Sequence, residues 1–140
     1  MTRAELQVGL ELPAATFGPL TIVDTVRWAG VQENVERIHF DRELARQSGA
    51  LRTFIASGGH RQALVVRMLT DCAGSNGRLL KLRVRHTAPT YEGDMLHCSA
   101  RVTEAKQVGD GTELVCEVKA KNQEDKEVLT GSCVLRIAAG

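Results

Sequence analysis

One apolar segment near the middle of the chain, about residues 60–73, restricts the fold more than any other feature. It follows the turn-forming residues Ser57, Gly58 and Gly59 and stops at Gly74. A helix over this segment is apolar on most of its faces, and such a helix is normally buried on most of its faces. In a small domain the natural burial site is the concave face of a curved sheet. We therefore predict a sheet that wraps around this helix.

Strand patterns occupy the second half of the chain. Apolar Leu80, Leu82 and Val84 alternate with basic residues, which is typical of a strand with one buried face. Three more strands are predicted at about residues 95–105, 114–120 and 128–137, with turn-forming sequences between them. Helices followed by a meander of strands predict an α+β fold. No Pro-, Gly- or Ser-rich linker divides the 140 residues, so we expect one domain over residues 1–140.

Two shorter helices are predicted before the apolar segment. The first covers about residues 25–32 with Asp24 as its cap. The second begins after the cap residue Asp41 and stops near residue 48. We expect Trp28, in the first of these helices, to anchor packing rather than to contact a ligand.

The polar turn between those helices holds two residues suited to chemistry, Asn34 and His39. On one unbroken helix their side chains would point about 140° apart, so a turn must separate them if they are to meet at one site. Histidine exchanges a proton near neutral pH, and a nearby amide can orient a water or a carbonyl for it. The alternative is that Asn34 caps the helix and that His39 is a half-buried, hydrogen-bonded histidine beside Ile38 and Phe40.

Composition argues against several classes of function. Eighteen Lys and Arg balance seventeen Asp and Glu for a net charge of +1, with no basic cluster, so no nucleic-acid partner is expected. The longest apolar run, about residues 63–69, is far shorter than the ~20 residues that cross a bilayer. The first residues lack the apolar core and cleavage site of a signal peptide. We therefore expect a soluble, cytoplasmic protein with no membrane partner.

The four cysteines indicate neither a metal site nor a disulfide framework. Cys72, Cys98, Cys116 and Cys133 lack the spacing of metal ligands. Three of them, Cys98, Cys116 and Cys133, fall on alternating apolar positions of predicted strands, so we interpret them as reduced core thiols. The sequence carries no cofactor motif, and we predict no metal and no organic cofactor.

Short motifs spread over most of the chain resemble those of one protein family. In their order and spacing they are similar to landmarks of the MaoC-like (R)-specific enoyl-CoA hydratases. The motifs are residues 22–30 (IVDTVRWAG), 38–41 (IHFD), 69–74 (LTDCAG) and 84–89 (VRHTAP), with Gly93 and Asp94. The resemblance implies a hot-dog fold, in which a curved antiparallel sheet wraps around a central apolar helix.

The resemblance also implies an activity, the hydration of a 2-enoyl-CoA thioester or the dehydration of a 3-hydroxyacyl-CoA, with Asn34 and His39 as the catalytic residues. Family members usually carry Asp at the position of Asn34, and an amide cannot accept a proton as a carboxylate does. Asn34 is then expected to hold the water while His39 is the only general base. This local motif resembles a MaoC subgroup that includes mesaconyl-C4-CoA hydratase-like proteins. The alternative is a catalytically silent subunit that pairs with an active homologue.

An oxyanion site is predicted at the start of the central helix. The first turn of a helix has backbone N–H groups without internal partners, and the helix dipole adds to their attraction for an anion. Gly58 and Gly59 let a ligand approach this backbone, beside Ser57, so their amides can polarise a thioester carbonyl. The resemblance implies the same role. The alternative is that the glycines only allow a tight turn and close packing.

Basic residues are candidates for substrate binding. Arg37, beside the catalytic pair, leaves room for a carboxylated acyl group. Arg83, Arg85 and His86 are candidates for binding the phosphates of coenzyme A, which here is part of the substrate rather than a cofactor. For any single one of these three residues, the alternative is a solvated strand face.

Other functions and assemblies remain open on the same fold. A thioesterase would prefer a catalytic carboxylate near the central helix, yet no Asp or Glu occurs between Glu43 and Asp71. A small sheet wrapped on one helix leaves an exposed edge, so we expect a homodimer, or a heteromer with a homologous MaoC-like chain. His60, next to the glycine turn, could line the pocket, but a histidine at a helix start is more often solvated. We assign no role to it or to His97, which lies on the outward face of its strand.

Overall fold

The computed structural model describes residues 6–138, and within them a five-stranded antiparallel sheet accompanies three helices. The helices are α1 (Ile22–Gln32), α2 (Arg42–Gln47) and α3 (Gly58–Ala73), with a short 3₁₀ helix at Arg37–His39. The strands are β1 (Ala15–Phe17), β2 (Gly77–His86), β3 (Leu96–Val108), β4 (Gly111–Lys121) and β5 (Glu127–Ile137). The central helix and the four strands after it are confirmed.

The strand order in the sheet is β1-β3-β4-β5-β2, which places β2 at one edge. The pairing of β2 with β5 shifts between Leu79 and Lys81. Because of this bulge, Leu79 rather than Leu80 packs against the core, and Leu80 is 45% exposed. The prediction that Leu80 shares the buried face of β2 was wrong, since an extra residue in a strand reverses the alternation before it.

One face of α3 packs on the sheet and forms the centre of the core. Val65, Met68 and Leu69 are at most 1% exposed and lie among the inward side chains of β3, β4 and β5. The opposite face carries Arg67 and Thr70, both exposed. The expectation that this helix is buried on most faces was wrong, because the sheet covers it from one side only.

The start of α1 differs from the sequence prediction. Helix α1 begins three residues earlier than predicted, at Ile22, because Thr21 is its N-cap. The Thr21 hydroxyl oxygen accepts the Asp24 N–H, and the Asp24 carboxylate accepts the Thr21 N–H at 2.9 Å. Asp24 is therefore the reciprocal member of a capping box rather than the cap itself. The cap of α2 is confirmed, since Asp41 accepts the Leu44 N–H at 3.0 Å.

The predicted core thiols are confirmed as buried and unbridged. Cys98, Cys116 and Cys133 are at most 1% exposed, and all four cysteines are free. Cys116 lies directly opposite Cys133 on the neighbouring strand. Burial raises the pKa of Cys98 to about 12, so its thiol stays protonated and unreactive at neutral pH.

The difference in burial between Leu69 and Leu80 can be tested by replacing each with Ala. Replacement of Leu69, which is 0% exposed, by Ala should lower the free energy of unfolding by about 2–5 kcal/mol, since it leaves a cavity between α3 and the sheet. The matched change Leu80→Ala, at a position 45% exposed, should cost less than about 0.5 kcal/mol. Urea denaturation measures both values. Similar losses for the two variants would contradict the bulge that turns Leu80 outward.

Candidate active site

Helix α1 ends in a turn that brings Asn34 and His39 into one site. Glu33 has a φ of 52°, in the left-handed region, and terminates the helix. The Asn34 side-chain oxygen then accepts the Glu36 N–H at 3.2 Å, which tightens the turn that follows. His39 closes the 3₁₀ helix beyond it. A turn therefore does separate the two side chains, as helix geometry requires for them to meet.

A hydrogen bond to the backbone orients the ring of His39. Its Nδ1 lies 2.8 Å from the carbonyl oxygen of Ile55. A carbonyl only accepts hydrogen bonds, so Nδ1 carries the proton and, in the neutral ring, Nε2 keeps a lone pair. The Ile55 N–H in turn donates to the carbonyl of Ile38 at 3.2 Å. These two bonds hold His39 against the segment that leads into α3.

Asn34 and His39 share a narrow crevice with the start of α3. Its lining also includes Ser57, so the structure brings together three of the residues proposed from the sequence. The crevice is too narrow to hold a water molecule. It is lined by Thr25, Trp28, Ala29, Asn34, His39, Ser57 and His60.

Two crevice residues, Trp28 and His60, were not assigned to the site from the sequence. Their rings stack at a centroid distance of 5.3 Å and an angle of 12°, and the Trp28 indole N–H donates to Gln32 at 2.8 Å. His60 is only 9% exposed. Burial lowers its pKa, an effect that the nearby Asp24 carboxylate partly offsets. The sequence could have indicated this, because His60 lies one turn before Leu64 on the central helix and so shares a face with it.

The start of α3 is arranged around Ser57 and two glycines. Ser57 is the N-cap, and its hydroxyl oxygen accepts the His60 N–H at 3.2 Å. A Cβ at Gly58 would lie 3.0 Å from Nε2 of His86, so the His86 ring covers this position. At Gly59 a Cβ would lie 2.7 Å from the Gln32 side chain. Side chains therefore pack closely against both glycines, and His86 borders the first turn of the helix.

The other predicted binding residues lie outside the crevice. Arg37 is exposed and forms an ion pair with Asp41 at 2.5 Å; it lines an open depression that also includes Asn34. Arg83 and Arg85 are exposed at alternate positions of β2, the edge strand.

A larger cavity of about 320 Å³ lies next to the crevice, and His60 lines both. Apolar residues such as Phe17, Leu20 and Leu64 form part of its wall. Arg61 and Thr90 also line it, and both are buried. Sequence reasoning missed Arg61, although it lies one turn before Val65 and two turns before Leu69 on the buried stripe of α3.

The described residues offer neither a metal site nor a membrane-spanning helix. Within residues 6–138 no group of three or more His, Cys, Asp or Glu side chains is placed to hold a metal ion. Among the same residues, no helix has the length and apolar character needed to span a membrane.

Comparisons with known proteins agree with the resemblance seen in the motifs. The family model for the MaoC-like domain matches residues 9–127. No curated protein matches the chain significantly. Among solved structures, the R-hydratase PhaJ1 from Pseudomonas aeruginosa is similar to it with a TM-score of 0.85 and 25% identity, over 98% of this chain and 85% of that chain.

Two further solved structures show the same fold at lower identity. The (R)-hydratase from A. caviae involved in PHA biosynthesis has a TM-score of 0.83 and 18% identity, over 94% of this chain and 97% of that chain. The ChsH1-ChsH2 complex from Mycobacterium tuberculosis has a TM-score of 0.82 and 23% identity, over 94% of this chain and 98% of that chain. The predicted hot-dog fold is confirmed.

The environment of His60 gives a test by titration. We expect the pKa of His60 to lie below 6.5 and Asp24→Asn to lower it further, because the carboxylate favours the protonated ring. Asp71→Asn, at the other end of α3, should leave it unchanged. NMR titration of the imidazole protons measures these values. A rise in the His60 pKa on Asp24→Asn would contradict this arrangement.

The same shift sets the sign of a pH effect on stability. Below pH 6.5 an unfolded chain protonates His60 while the native state keeps the ring neutral. His60 should therefore make the free energy of unfolding fall as the pH drops below 6.5, until the native ring also becomes protonated.

Proposed function

This chain belongs to the MaoC-like domain family, and we propose that it hydrates a 2-enoyl-CoA, or dehydrates a 3-hydroxyacyl-CoA, with Asn34 and His39 as the catalytic pair. The proposal rests mainly on the hydrogen bond between His39 Nδ1 and the Ile55 carbonyl. That bond leaves Nε2 as the basic atom of the ring, which is the state that a general base requires. Asn34 borders the same crevice and can orient a water through its amide.

In the proposed reaction His39 Nε2 removes a proton from a water as the water oxygen bonds to C3 of the enoyl group. The electron pair of the double bond moves toward the thioester carbonyl and gives an enolate. His39 then returns a proton to C2. Water is added in full across the double bond, with no change in oxidation state and no need of a metal or organic cofactor.

The enolate oxygen needs positive charge close to it. The N-terminus of α3 supplies backbone N–H groups without helical partners at Gly58 and Gly59, and the helix dipole adds to their effect. Ser57 borders the crevice, so the catalytic pair and this helix end face a common space. Support for an oxyanion site here therefore comes from the position of the helix relative to His39.

Coenzyme A is proposed to bind from the side of β2. His86 covers Gly58 at the start of α3, which is where the thioester is expected. Arg83 and Arg85 are exposed on the same strand and carry charges suited to phosphate groups. We assign these three residues to the coenzyme A moiety.

The exposed edge of β2 favours assembly. Within the described residues β2 pairs with β5 alone, and unpaired strand edges attract further strands. We propose a dimer, either of two identical chains or of this chain with a homologue. The solved ChsH1-ChsH2 and HadBC structures from Mycobacterium tuberculosis, each with a chain of similar fold, are both structures of complexes.

A silent subunit is the second candidate, and one observation favours it. The Asn34 oxygen accepts a hydrogen bond from Glu36 in its own turn, and the crevice does not hold a water in this conformation. A subunit of this kind would stabilise an active partner rather than catalyse.

Replacement of His39, the proposed general base, tests the hydratase activity. With crotonyl-CoA and the carboxylated glutaconyl-CoA as substrates, His39→Ala should lower kcat/KM for hydration by about 10²- to 10⁴-fold, since the general base is lost. His97→Ala is the matched control, because His97 is exposed and bonded to Thr16 on another part of the sheet. Enoyl absorbance and free thiol are followed together. Equal rates for the two variants, or thiol release, would refute the proposed reaction.

Changes at Asn34 separate the two candidates. If Asn34 orients water, the wild-type protein alone is active, Asn34→Ala is impaired and Asn34→Asp keeps its activity. If the chain is a silent subunit, the wild-type protein alone has no activity, and turnover appears only with a homologous partner or in the Asn34→Asp variant.

A further inference from the structure

Three buried polar groups without partners surround one cavity. Within residues 6–138, the buried side-chain atoms that lack a hydrogen bond are Nδ1 of His60, Nε of Arg61 and Oγ1 of Thr90. All three residues line the cavity of about 320 Å³, and their exposed fractions are 9%, 6% and 2%. Buried polar groups are normally paired. Because the residues that carry these atoms line the same cavity, a ligand with polar atoms suits it.

Arg61 is the group that determines the charge of such a ligand. Its Nη1 donates to the carbonyl oxygens of Ala88 at 2.6 Å and Val128 at 3.3 Å. Burial lowers its pKa, but a guanidinium keeps its charge in proteins. Among the described residues no carboxylate lies within ion-pair distance of Arg61. A buried cation without an anion is unfavourable, so an anionic ligand fits this position.

The carboxylates that line the same cavity are already engaged elsewhere. Asp24 accepts the N–H and the hydroxyl of Thr21 at 2.9 and 2.5 Å. Asp94 accepts the Tyr91 N–H at 2.8 Å and the Gln123 amide at 2.9 Å. Asp94 also lies 3.5 Å from Arg52. Neither carboxylate forms an ion pair with Arg61, so the Arg61 guanidinium stays available to a ligand.

The neighbours of Arg61 suit a carboxylate. The Thr90 hydroxyl has no partner and can donate to one carboxylate oxygen while Arg61 Nε donates to the other. The unpartnered Nδ1 of His60 adds a third polar atom at the side of the cavity that faces the crevice.

The dimensions of the cavity limit the ligand to a short chain. Its volume of about 320 Å³ is at the low end of the roughly 300–1,000 Å³ found for small-molecule sites, which suits an acyl group rather than a whole coenzyme A. Phe17, Leu20 and Leu64 offer apolar contacts to methylene groups. His60 lines both this cavity and the crevice, so an acyl chain in the cavity lies next to the catalytic pair and extends from there toward Arg61.

We propose that the cavity binds the acyl group of the substrate and that Arg61 and Thr90 bind a carboxylate at the end of that group remote from the thioester. The inference rests on the proposed hydratase function and narrows its substrates to 2-enoyl-CoAs that carry a terminal carboxylate. It also moves the recognition of that carboxylate from Arg37, which is paired with Asp41, to Arg61.

Binding of saturated acyl-CoAs tests the inference without turnover. Calorimetry compares glutaryl-, adipoyl- and pimeloyl-CoA with pentanoyl-, hexanoyl- and heptanoyl-CoA, which have the same chain lengths and end in methyl groups. Trp28, the single tryptophan, reports by fluorescence on occupancy beside His60. At the chain length that reaches Arg61, the carboxylated thioester should bind about ten- to hundredfold more tightly, as expected for hydrogen bonds to a charged group.

Three variants show whether that preference comes from Arg61 and Thr90. Arg61→Gln should abolish it and Arg61→Lys should retain part of it. Thr90→Val keeps the volume and removes a hydroxyl that has no partner in the free protein, so it should weaken only the carboxylated ligands while leaving the melting temperature intact. Arg101→Gln is the control, since Arg101 is exposed and pairs with Glu11.

Each outcome decides the inference. Equal affinity for both ligand series at every length, or an unchanged preference in Arg61→Gln and Thr90→Val, overturns the carboxylate site and leaves the hydratase proposal standing. If no acyl-CoA binds, the hydratase proposal fails. Binding of free glutarate to the wild type and to Arg61→Gln then tests the carboxylate site. A glutarate response in the wild type that Arg61→Gln abolishes supports the carboxylate site, whereas no response overturns it.

Discussion

The packing of α3 on the inner face of the sheet is the interaction on which the site depends. Val65, Met68 and Leu69 anchor the helix in the core, and this fixes the place of its N-terminus at Ser57. The segment just before that terminus holds His39 through the carbonyl of Ile55. A shift of the helix in the core would therefore move His39, the proposed general base, and the proposed oxyanion site together.

The parts of the structure predicted from the sequence are those that local patterns determine. For Asn34 and His39 to meet at one site, helix geometry required a turn between them, and that turn is present. Alternation predicted the strands but failed at Leu80, because the bulge that turns it outward depends on pairing with β5. A periodic pattern does not reveal such a shift in register.

The residues that sequence reasoning missed acquire their setting only through tertiary contacts. His60 looked like a solvated helix-start residue, and its burial results from stacking on Trp28 of a different helix. Arg61 lies on the buried stripe of α3, where charged residues are rare unless paired. Its carbonyl partners, Ala88 and Val128, are distant in sequence, so no local signal identified it as a binding residue.

In the proposed function the crevice holds the residues that react, and the cavity selects the acyl chain of the substrate. His39 and Asn34 act where the enoyl group lies, and Arg61 acts at the far end of the acyl chain, with His60 between them. The most direct measurement is NMR analysis of the products that the purified chain forms in D₂O from crotonyl-CoA and from the carboxylated glutaconyl- and 2,3-dehydroadipoyl-CoA. Water addition gives the corresponding 3-hydroxyacyl-CoA with one deuterium at C2. If all three thioesters stay unchanged, or release free coenzyme A without a hydroxyacyl product, the result would contradict a hydratase.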